Sequence, residues 1–517
     1  MSLSHILRRQ ASASPDVVGL VGIGRTWTWA EADLRAGQLA AALQELGVEA
    51  GDRVGVHLHK SDDGWLAMHA VVRIGAVAVP LDPGAPAARL ERICSSMAIR
   101  VVLSHEPRRS MIAELGAAGV IDAVVGVAAA VDGLRTLTTA DVANLFPVDP
   151  VDVEQDDPAY IITTSGSTGE PKGIVHTHAS GMAYATESAE LYGLGPADRV
   201  ADTAPNHFDQ STFALWSAPL AGSAVVTMPE PHQRMPASFS ERLAAEAITV
   251  WYGVPFLLQQ LVVRGDLENR DLSALRWVKF GGEVPPPWVI AEMLEHAPNA
   301  TMANIYGPAE CNQCSFHHLE AAPLPGEVIP IGVATPSATM RLGAPDAGTP
   351  SPEGERTEGE IWVSGPTVME GYHGMPETNA ERLVEFEGRR WYRTGDLGRV
   401  DAAGVWWFLG RVDHQVKVRG HRIELEGLEA ELEALDGVEH VIAAVDRRSA
   451  GEDSVVVGVF PAEDFDLDGF RAAARAVLPA YALPTHIATM SGKKFTGSGK
   501  LDRGALREEV LASVETE

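Results

Sequence analysis

The sequence predicts an α/β protein: a large N-terminal domain of doubly wound sheets with a β-rich subdomain, followed by a small α+β C-terminal domain. First, short apolar strands alternate with amphipathic helices, which is the pattern of a parallel sheet covered by helices on both faces. Second, a stretch rich in Pro and Gly, 323–352, precedes closely spaced strand patterns that begin at Gly359. Third, a shorter strand and helix pattern occupies 412–517.

The individual elements follow from apolar periodicity. A short strand from Arg25 leads into a helix whose apolar face holds Leu39, Leu43 and Leu46 and which stops at Gly47. The same periodicity predicts the remaining main elements, namely helices over 65–78, 176–192, 428–435 and 467–477 and strands over 53–58, 250–255, 277–280, 440–445 and 454–460.

The chain is strongly acidic. It has 41 Lys and Arg residues against 70 Asp and Glu residues, a formal net charge of −29 over 517 residues. A surface of this charge repels nucleic-acid phosphates and anionic membranes, so neither is expected as a partner. Any phosphate-binding site must therefore be locally basic.

Cysteine content and the N-terminal sequence indicate the compartment. The three cysteines, Cys94, Cys311 and Cys314, are too few for a disulfide framework. Arg8 and Arg9 are not followed by the apolar segment of a signal peptide, and no apolar run reaches the ~18 residues that a membrane span needs. We therefore expect a cytoplasmic protein with no membrane partner.

The most informative segment is 160–173, where an apolar strand is followed by hydroxyl-bearing residues and glycines that end in a lysine. Glycines let backbone N–H groups approach an anion closely, hydroxyls add donors, and Lys172 adds a positive charge. The segment is not a P-loop, because Glu170 and Pro171 separate Gly169 from Lys172. It therefore predicts a phosphate-binding loop of another kind.

This loop resembles the phosphate-binding signature of the superfamily of adenylate-forming enzymes, which contains acyl- and aryl-CoA synthetases, luciferases and the adenylation domains of nonribosomal peptide synthetases. Other segments resemble further motifs of that superfamily in the same order, namely 281–283, 304–310, 392–397, 410–425 and 493–503. The resemblance extends over nearly the whole chain and is strongest to stand-alone amino-acid adenylation enzymes.

The resemblance implies an ATP site with Mg²⁺. Tyr306 would offer an aromatic face to adenine, Asp396 would accept both ribose hydroxyls, and Thr168 and Glu310 would bind the metal. Ala309 stands where relatives usually have Thr. The residues implied for ATP are Thr164, Ser165, Gly166, Ser167, Thr168, Gly169, Lys172, Gly282, Asn304, Ile305, Tyr306, Gly307, Asp396, Arg411 and Lys500.

The resemblance also implies an amino-acid site, carried by the pattern Phe208-Asp209-x-Ser211. In amino-acid-activating members an Asp at this place pairs with the substrate ammonium; the alternative for Asp209 is a helix N-cap. His207 stands where relatives often have a gate near the ATP site. The implied pocket contains two phenylalanines, which favours a small substrate such as alanine, glycine, serine or proline. Its residues are Asp209, Phe213, Val278, Phe280, Gly282, Ile305, Gln313 and Cys314.

The domain organisation follows from the same resemblance. Residues 1–411 are expected to form an adenylation core that binds ATP and substrate, and 412–517 a mobile lid. Asp413 is implied as the hinge and Gly420 as part of a pantetheine tunnel. Lys500 is implied as the catalytic residue that reaches the substrate carboxylate and the α-phosphate.

The implied activity is that of a carboxylic acid–thiol ligase that forms AMP and pyrophosphate. It would activate a small amino acid as aminoacyl-AMP and load the phosphopantetheine thiol of a discrete carrier protein, in the biosynthesis of a nonribosomal peptide or polyketide-hybrid natural product such as an antibiotic. A discrete carrier is expected because the chain ends at Glu517, too close to Lys500 for a carrier domain of its own.

Three alternatives remain open. An acyl- or aryl-CoA ligase would use coenzyme A and would not need Asp209. A β-amino acid could replace the α-amino acid if its carboxylate shifts by one carbon. The third is a binding module without catalytic activity. The presence of Lys500, Glu310 and Asp396 together argues against it.

Overall fold

The computed structural model describes residues 2–164, 170–324, 326–344, 347–412, 415–447, 453–462, 464–492, 494 and 503–514. The chain divides into two compact units, and the prediction of an α/β fold is confirmed. The larger unit contains Met1–Pro83, Cys94–Thr163 and Gly173–Val412, and the smaller contains Gly84–Ile93, Thr164–Lys172 and Asp413–Glu517. Among the residues described, no helix is both long and apolar enough to cross a membrane.

The strands, in chain order, are β1 (Val18–Val21), β2 (Thr26–Thr28), β3 (Arg53–His57), β4 (Val77–Pro80), β5 (Val101–Ser104), β6 (Ala123–Val125), β7 (Arg135–Leu137), β8 (Pro158–Thr164), β9 (Lys172–Thr177), β10 (Arg199–Asp202), β11 (Ala224–Thr227), β12 (Val250–Gly253), β13 (Trp277–Gly281), β14 (Thr301–Tyr306), β15 (Ser315–Leu319), β16 (Val333–Ala334), β17 (Thr339–Gly343), β18 (Glu358–Ser364), β19 (Gly371–Tyr372), β20 (Leu383–Phe386), β21 (Arg389–Val400), β22 (Trp406–Arg411), β23 (Gln415–Val418), β24 (His421–Glu424), β25 (Val438–Asp446), β26 (Ser454–Pro461) and β27 (His486–Thr489).

The α-helices are α1 (Ile6–Ala13), α2 (Trp29–Glu45), α3 (Asp62–Arg73), α4 (Ala87–Ser96), α5 (Arg109–Ala117), α6 (Thr139–Asn144), α7 (His178–Leu191), α8 (Ala218–Leu220), α9 (Glu230–Arg234), α10 (Pro236–Ala245), α11 (Pro255–Arg264), α12 (Pro287–His296), α13 (Pro376–Arg382), α14 (Leu425–Glu433), α15 (Leu467–Val477) and α16 (Arg503–Ser513). A π-helical segment, Phe213–Ser217, precedes α8.

Two large sheets organise the larger unit. One has nine strands in the order β16-β15-β14-β13-β12-β10-β11-β1-β2, and its central strands β14 to β1 are parallel. The other has eight strands in the order β19-β9-β8-β4-β3-β5-β6-β7, with parallel pairing from β8 to β7. Because parallel strands end at a common edge, the residues after them are collected at the carboxyl edge of each sheet.

The remaining strands of the larger unit form the β-rich subdomain. Its order is β17-β18-β21-β20, with β22 also paired to β21, and all of these pairs are antiparallel. The long strand β21 therefore brings its residues opposite those of β22, with Asp396 facing Arg411 in the register.

Two apolar cores lie on opposite faces of the nine-stranded sheet. The larger core includes residues of α2, α3 and α7 and the buried side chains of Trp65 and Trp216. The second core packs α10, α11 and α12 against the sheet and includes Val278 and Phe280 of β13. The middle strands are thus covered on both sides, as expected for a doubly wound sheet.

The smaller unit is built on the sheet β25-β26-β27. Leu432 of α14 and Phe470 of α15 share one core with this sheet, while Leu506 and Val510 of α16 share another. The hairpin β23–β24 turns through two residues with positive φ, Arg419 at 53° and Gly420 at 83°. These angles are those of a type I′ turn.

Most predicted elements agree with the structure. Helix 467–477 is confirmed as α15, and the side chain of Asp466 caps its N-terminus. The helix predicted over 65–78 was placed too far along the chain: α3 begins at Asp62 and ends at Arg73, Gly75 adopts a φ of 73°, and β4 begins at Val77. A glycine with positive φ ends a helix because no β-carbon opposes that conformation.

A buried ion pair joins the two large sheets. Lys60, shortly after β3, places its Nζ 2.7 Å from Asp202 Oδ1 at the end of β10 and 2.7 Å from Asn206 Oδ1. The side chains of Lys60 and Asp202 are both 0% exposed. Burial raises the pKa of Asp202, and the ammonium of Lys60 offsets part of that rise. The pair fixes the start of the loop that leads from β10 to Asp209.

We expect Lys60→Met to destabilise the protein by ~3–5 kcal/mol, because Asp202 would remain buried without its cation. Urea unfolding followed by tryptophan fluorescence measures the loss. The double variant Lys60→Met, Asp202→Leu is the matched control, and it should recover most of the stability because both charges are removed. Equal losses in the single and double variants would show that the two groups are not coupled.

A second prediction concerns His69, whose ring lies between Trp65 at 4.1 Å and Trp216 at 4.9 Å. Burial lowers its pKa from 6.5 to about 3, so the folded protein resists protonation that the unfolded chain accepts. Stability is therefore complete above pH 6.5 and is lost as the pH falls toward 3. In His69→Leu we expect the pH dependence of the unfolding free energy between pH 6.5 and 4 to weaken by up to ~1.4 kcal/mol per pH unit. An unchanged slope would contradict this assignment.

Candidate functional site

The loop after β10 carries His207, Phe208 and Asp209. Its C-terminal end is closed by a turn in which the N–H of Thr212 donates to the carbonyl of Asp209 at 3.0 Å. The rings of His207 and Phe208 lie 5.0 Å apart. This turn leads directly into the π-helical segment that begins at Phe213, a local irregularity that often occurs at functional sites.

Asp209 is half-buried and lies near two buried tyrosines, Tyr160 and Tyr184, and the half-buried Tyr252. Burial raises the pKa values of Tyr160, Tyr184 and Tyr252, and the negative charge of Asp209 adds to each rise. The carboxylate therefore acts electrostatically on a largely apolar, aromatic environment. A cationic group would be favoured at this place, since a carboxylate out of bulk water attracts its counter-charge strongly.

Lys279 of β13 reaches the same aromatic environment. Its Nζ lies 3.5 Å from the centre of the Phe213 ring, 3.7 Å from that of Tyr192 and 4.6 Å from that of Tyr252. The residue is 1% exposed. Two residues further along, a β-carbon on Gly281 would lie 3.2 Å from the Tyr252 hydroxyl and 2.8 Å from the carbonyl of Ile305, so this wall has no room for a side chain there.

The placement of Lys279 corrects two expectations. Successive side chains of a strand point to opposite faces, so Val278 and Phe280 point away from Lys279. Both are packed in the second core with α10 to α12, whereas Phe213 belongs to the first. Val278 and Phe280 therefore do not share a pocket wall with Phe213, and Lys279 holds that position instead.

The other expected pocket residues divide into two groups. Phe213 and Ile305 share the first core, and Gln313 donates from Nε2 to the Tyr192 hydroxyl at 3.1 Å. The Tyr192 ring meets Phe213 edge-on at 6.0 Å, so these residues lie around Lys279. Cys314 is buried in a different cluster together with Cys311.

Three residues that the sequence implied for ATP are joined by hydrogen bonds. The hydroxyl of Tyr306, the last residue of β14, donates to Asp396 Oδ2 at 2.7 Å. The guanidinium of Arg411 donates to the other oxygen, Oδ1, across the β21–β22 pairing. Burial raises the pKa of Tyr306, and the Asp396 carboxylate raises it further. The structure thus brings residues from distant parts of the sequence to one carboxylate.

Glu310 is buried close to the same turn. Its Oε1 accepts a hydrogen bond from the Tyr372 hydroxyl at 2.7 Å, and the hydroxyl of Tyr372 lies 3.1 Å from that of Tyr392. Within the described ranges, no group of three or more His, Cys, Asp or Glu side chains is arranged to hold a metal ion. Mg²⁺ needs only one or two protein carboxylates when phosphates and waters complete its shell, so Glu310 fits as a single ligand.

The turn between Tyr306 and Glu310 is held by its neighbours. A β-carbon at Gly307 would lie 1.8 Å from the carbonyl oxygen of Asn312, so only glycine fits. His176 donates from Nε2 to the carbonyl of Ala309 at 2.9 Å, and its ring stacks on Tyr160 at 4.9 Å. Burial lowers the pKa of His176 to about 4, which keeps the ring neutral. The backbone of position 309 is thus fixed whatever its side chain.

The other expected residues are placed as follows. Asn304 donates from Nδ2 to the carbonyl of Pro330 at 2.8 Å, and Gly282 has a φ of 93°. Thr164 ends β8 and Lys172 begins β9; both are half-buried. Several expectations concern residues outside those that the structure describes, namely Ser165, Gly166, Ser167, Thr168, Gly169, Asp413 and Lys500.

Sequence reasoning missed several residues of this region, among them Lys279, Tyr192, Tyr252 and Tyr372. For Lys279 the signal was available, since a charged residue between two apolar ones on a strand marks the opposite face. The tyrosines carried no local signal, because each lies in an ordinary apolar strand or at the end of a helix.

The chain is similar to known proteins over most of its length. Residues 7–373 match the family model described as "AMP-binding enzyme". The L-proline--[L-prolyl-carrier protein] ligase of Pseudomonas fluorescens is 33% identical over 486 residues, which cover 92% of this chain and 93% of that protein. The phenyloxazoline synthase MbtB of a Mycobacterium species is 34% identical over 98% of this chain, but the match covers only 42% of that protein.

Among solved structures, the amide bond synthetase McbA from Marinactinospora thermotolerans superimposes with a TM-score of 0.84 at 23% sequence identity, covering 98% of this chain and 99% of that one. This likeness shows the shared fold. The family model matches well over half of the sequence, and the proline ligase is similar over nearly its full length. The chain belongs to the family of AMP-binding enzymes.

Proposed function

We propose that this protein activates a small amino acid with ATP and transfers it to the phosphopantetheine thiol of a discrete carrier protein. The observation that carries the proposal is the position of Asp209, a carboxylate among buried tyrosines within a fold whose members bind adenine nucleotides. An amino-acid substrate would bring an ammonium to this carboxylate, whereas a plain acyl or aryl acid would bring no cation.

In the first half-reaction, a carboxylate oxygen of the amino acid attacks the α-phosphorus of ATP. The bond from that phosphorus to the bridging oxygen breaks, and pyrophosphate leaves. Tyr306 offers its ring to adenine, while Asp396, held by Tyr306 and Arg411, accepts hydrogen bonds from the ribose hydroxyls. These contacts orient the α-phosphate for in-line attack.

Charge is the main obstacle to this step, because an anionic carboxylate approaches an anionic triphosphate. We assign Lys172 and the glycine- and hydroxyl-rich loop before it to the phosphates, and Lys500 to both the carboxylate and the α-phosphate. Mg²⁺ held by Glu310 and Thr168 would supply further neutralisation of the phosphate charge. Water must be excluded throughout, because the mixed anhydride that forms hydrolyses easily.

In the second half-reaction, a thiolate sulfur attacks the acyl carbon of the adenylate, a thioester forms and AMP leaves. We assign this step to a rearrangement of a lid, residues 412–517, on a core of residues 1–411, with Asp413 as the hinge. Gly420, at the tip of the β23–β24 hairpin, is assigned to the channel for the pantetheine arm.

The carrier protein is supported by the relatives. The L-proline--[L-prolyl-carrier protein] ligase is named for this reaction, and it matches along nearly its whole length. The chain spans less than half of the length of the phenyloxazoline synthases that it also resembles, so their further activities do not carry over. A role in natural-product biosynthesis follows from the carrier-dependent chemistry.

ATP–pyrophosphate exchange tests the proposal directly. Purified protein is incubated with ATP, Mg²⁺, labelled pyrophosphate and single α-amino, β-amino, fatty or aryl acids. We expect exchange with at least one amino acid and much less with any acid that lacks an amino group. Exchange supported best by fatty or aryl acids, followed by CoA thioester formation, would replace this proposal by that of a CoA ligase.

For Lys500→Ala we expect adenylate formation to fall at least ~10²-fold, which is the effect of removing one positioned charge from the transition state. Thioester formation from a supplied aminoacyl adenylate should persist, because the carboxylate and the triphosphate no longer have to be brought together. The two half-reactions are measured separately, by pyrophosphate exchange and by mass spectrometry of the loaded carrier. Undiminished exchange would remove Lys500 from the mechanism.

For Asp209→Ala we expect kcat/KM for the amino acid to fall by ~10²-fold or more, since the ammonium would lose its counter-ion in a buried site. The des-amino analogue should change little, which gives an internal control within one variant. Thr212→Ser provides a second control, because it keeps the turn hydrogen bond from its backbone N–H to Asp209. Equal losses for both substrates would indicate that Asp209 acts on the loop structure alone.

A further inference from the structure

Lys279 is a buried lysine without a hydrogen-bonding partner. It lies on β13 in the middle of the nine-stranded sheet, and 1% of its surface is exposed. Its Nζ makes no hydrogen bond anywhere in the part of the chain that the structure describes. Lys60 provides the contrast, since it is also buried but is bound at 2.7 Å to both Asp202 and Asn206.

The aromatic rings around Lys279 do not compensate its burial. Transfer of an ammonium from water into the protein interior is costly, even after relaxation. Cation–π contacts with Tyr192, Phe213 and Tyr252 offset only part of that cost. Burial accordingly holds the pKa of Lys279 well below its usual range, and no neighbouring carboxylate opposes that effect. The ammonium form therefore lacks an anion.

The side chain of Lys279 extends toward the aromatic rings that lie near Asp209, so an anion that binds its Nζ would lie there. Phe213 lies four residues after Asp209, at the end of the same loop, and contacts Nζ at 3.5 Å. Tyr252 also contacts Nζ, and the charge of Asp209 raises the pKa of Tyr252 beyond the effect of burial. Asp209 and Lys279 thus adjoin the same aromatic wall, and Nζ of Lys279 makes no hydrogen bond to Asp209.

We propose that Lys279 determines specificity by binding a second carboxylate on the substrate, so that the amino acid activated is an acidic one of the size of aspartate or glutamate. The ammonium of the substrate pairs with Asp209, its side-chain carboxylate pairs with Lys279, and its other carboxylate is adenylated. This inference rests on the proposed function, of which it names the substrate class.

The polar groups beside Lys279 suit such a ligand. Gln313 and Tyr192 are hydrogen-bonded to each other at 3.1 Å, and the Tyr192 ring touches Nζ. Their amide and hydroxyl can donate to a carboxylate that arrives at Lys279. A substrate with an apolar side chain would instead leave the amine of Lys279 buried without a hydrogen-bonding partner. A site that hydrogen-bonds a polar group of the substrate rejects substrates without that group strongly, whereas an apolar site discriminates only weakly against one extra methylene.

The test is ATP–pyrophosphate exchange with matched pairs, aspartate against asparagine and glutamate against glutamine, together with alanine, serine and proline. In the wild type we expect kcat/KM for one acidic amino acid to exceed that of its amide by ~10²-fold. In Lys279→Met, which keeps the length of the side chain and removes its charge, this ratio should fall by a similar factor. KM for the acidic substrate should carry most of the change.

Met302→Leu is the matched control, because Met302 lies on the adjacent strand but packs in the opposite core. It should leave the acid-to-amide ratio unchanged. Thermal unfolding of Lys279→Met checks folding, and its midpoint should equal or exceed that of the wild type, since an unpartnered buried amine is removed. If that variant does not fold, wild-type ratios near one for both acid–amide pairs would still overturn the proposal.

The outcomes separate this inference from the proposed function. Efficient exchange with alanine or proline and none with acidic amino acids would overturn the role of Lys279 and leave amino-acid activation intact. Exchange with no amino acid at all would overturn both. A wild-type preference for an acidic substrate that persists in Lys279→Met would assign the recognition to another residue.

Discussion

The arrangement of the candidate site depends on the buried ion pair between Lys60 and Asp202. Lys60 follows a strand of the eight-stranded sheet, and Asp202 ends a strand of the nine-stranded sheet. Both side chains are excluded from water, so the pair forms a buried polar connection between the carboxyl edges of the two sheets. Asn206, the third member, extends this connection into the loop that carries Asp209.

Two kinds of strand pairing supply the two halves of the site. At the carboxyl edge of the nine-stranded sheet, parallel strands end together, so Asp202, Gly281 and Tyr306 lie at one edge although they are far apart in sequence. In the β-rich subdomain, the antiparallel register of β21 and β22 places Asp396 opposite Arg411. The hydrogen bond from Tyr306 to Asp396 connects the halves, so a shift in either sheet would be transmitted to the other.

Motifs and strand faces differ in how far they could be predicted from the sequence. Tyr306, Asp396 and Arg411 could be identified because each lies in a short segment with its own signature, and the structure brings the three together. The orientation of β13 was harder to predict, because the strand is covered on both faces and only the charge of Lys279 between Val278 and Phe280 marks which residues share a face. The resemblance identified the correct strand, β13. The predicted pocket residues Val278 and Phe280 are one position away from Lys279 and therefore lie on the opposite face of the sheet.

The buried lysines show why that error concealed information on specificity. A buried charged residue that only stabilises the fold is usually paired with an opposite charge, as Lys60 is with Asp202. Lys279 breaks this rule in the middle of a strand that adjoins the same aromatic rings as Asp209, and no described residue makes a hydrogen bond to its Nζ. In the proposed recognition, the cost of burying this amine is offset only when a ligand supplies a hydrogen-bond acceptor. The difference in binding free energy between an acidic and an apolar substrate then includes the cost of leaving Lys279 without an acceptor as well as the contact that the acidic substrate makes.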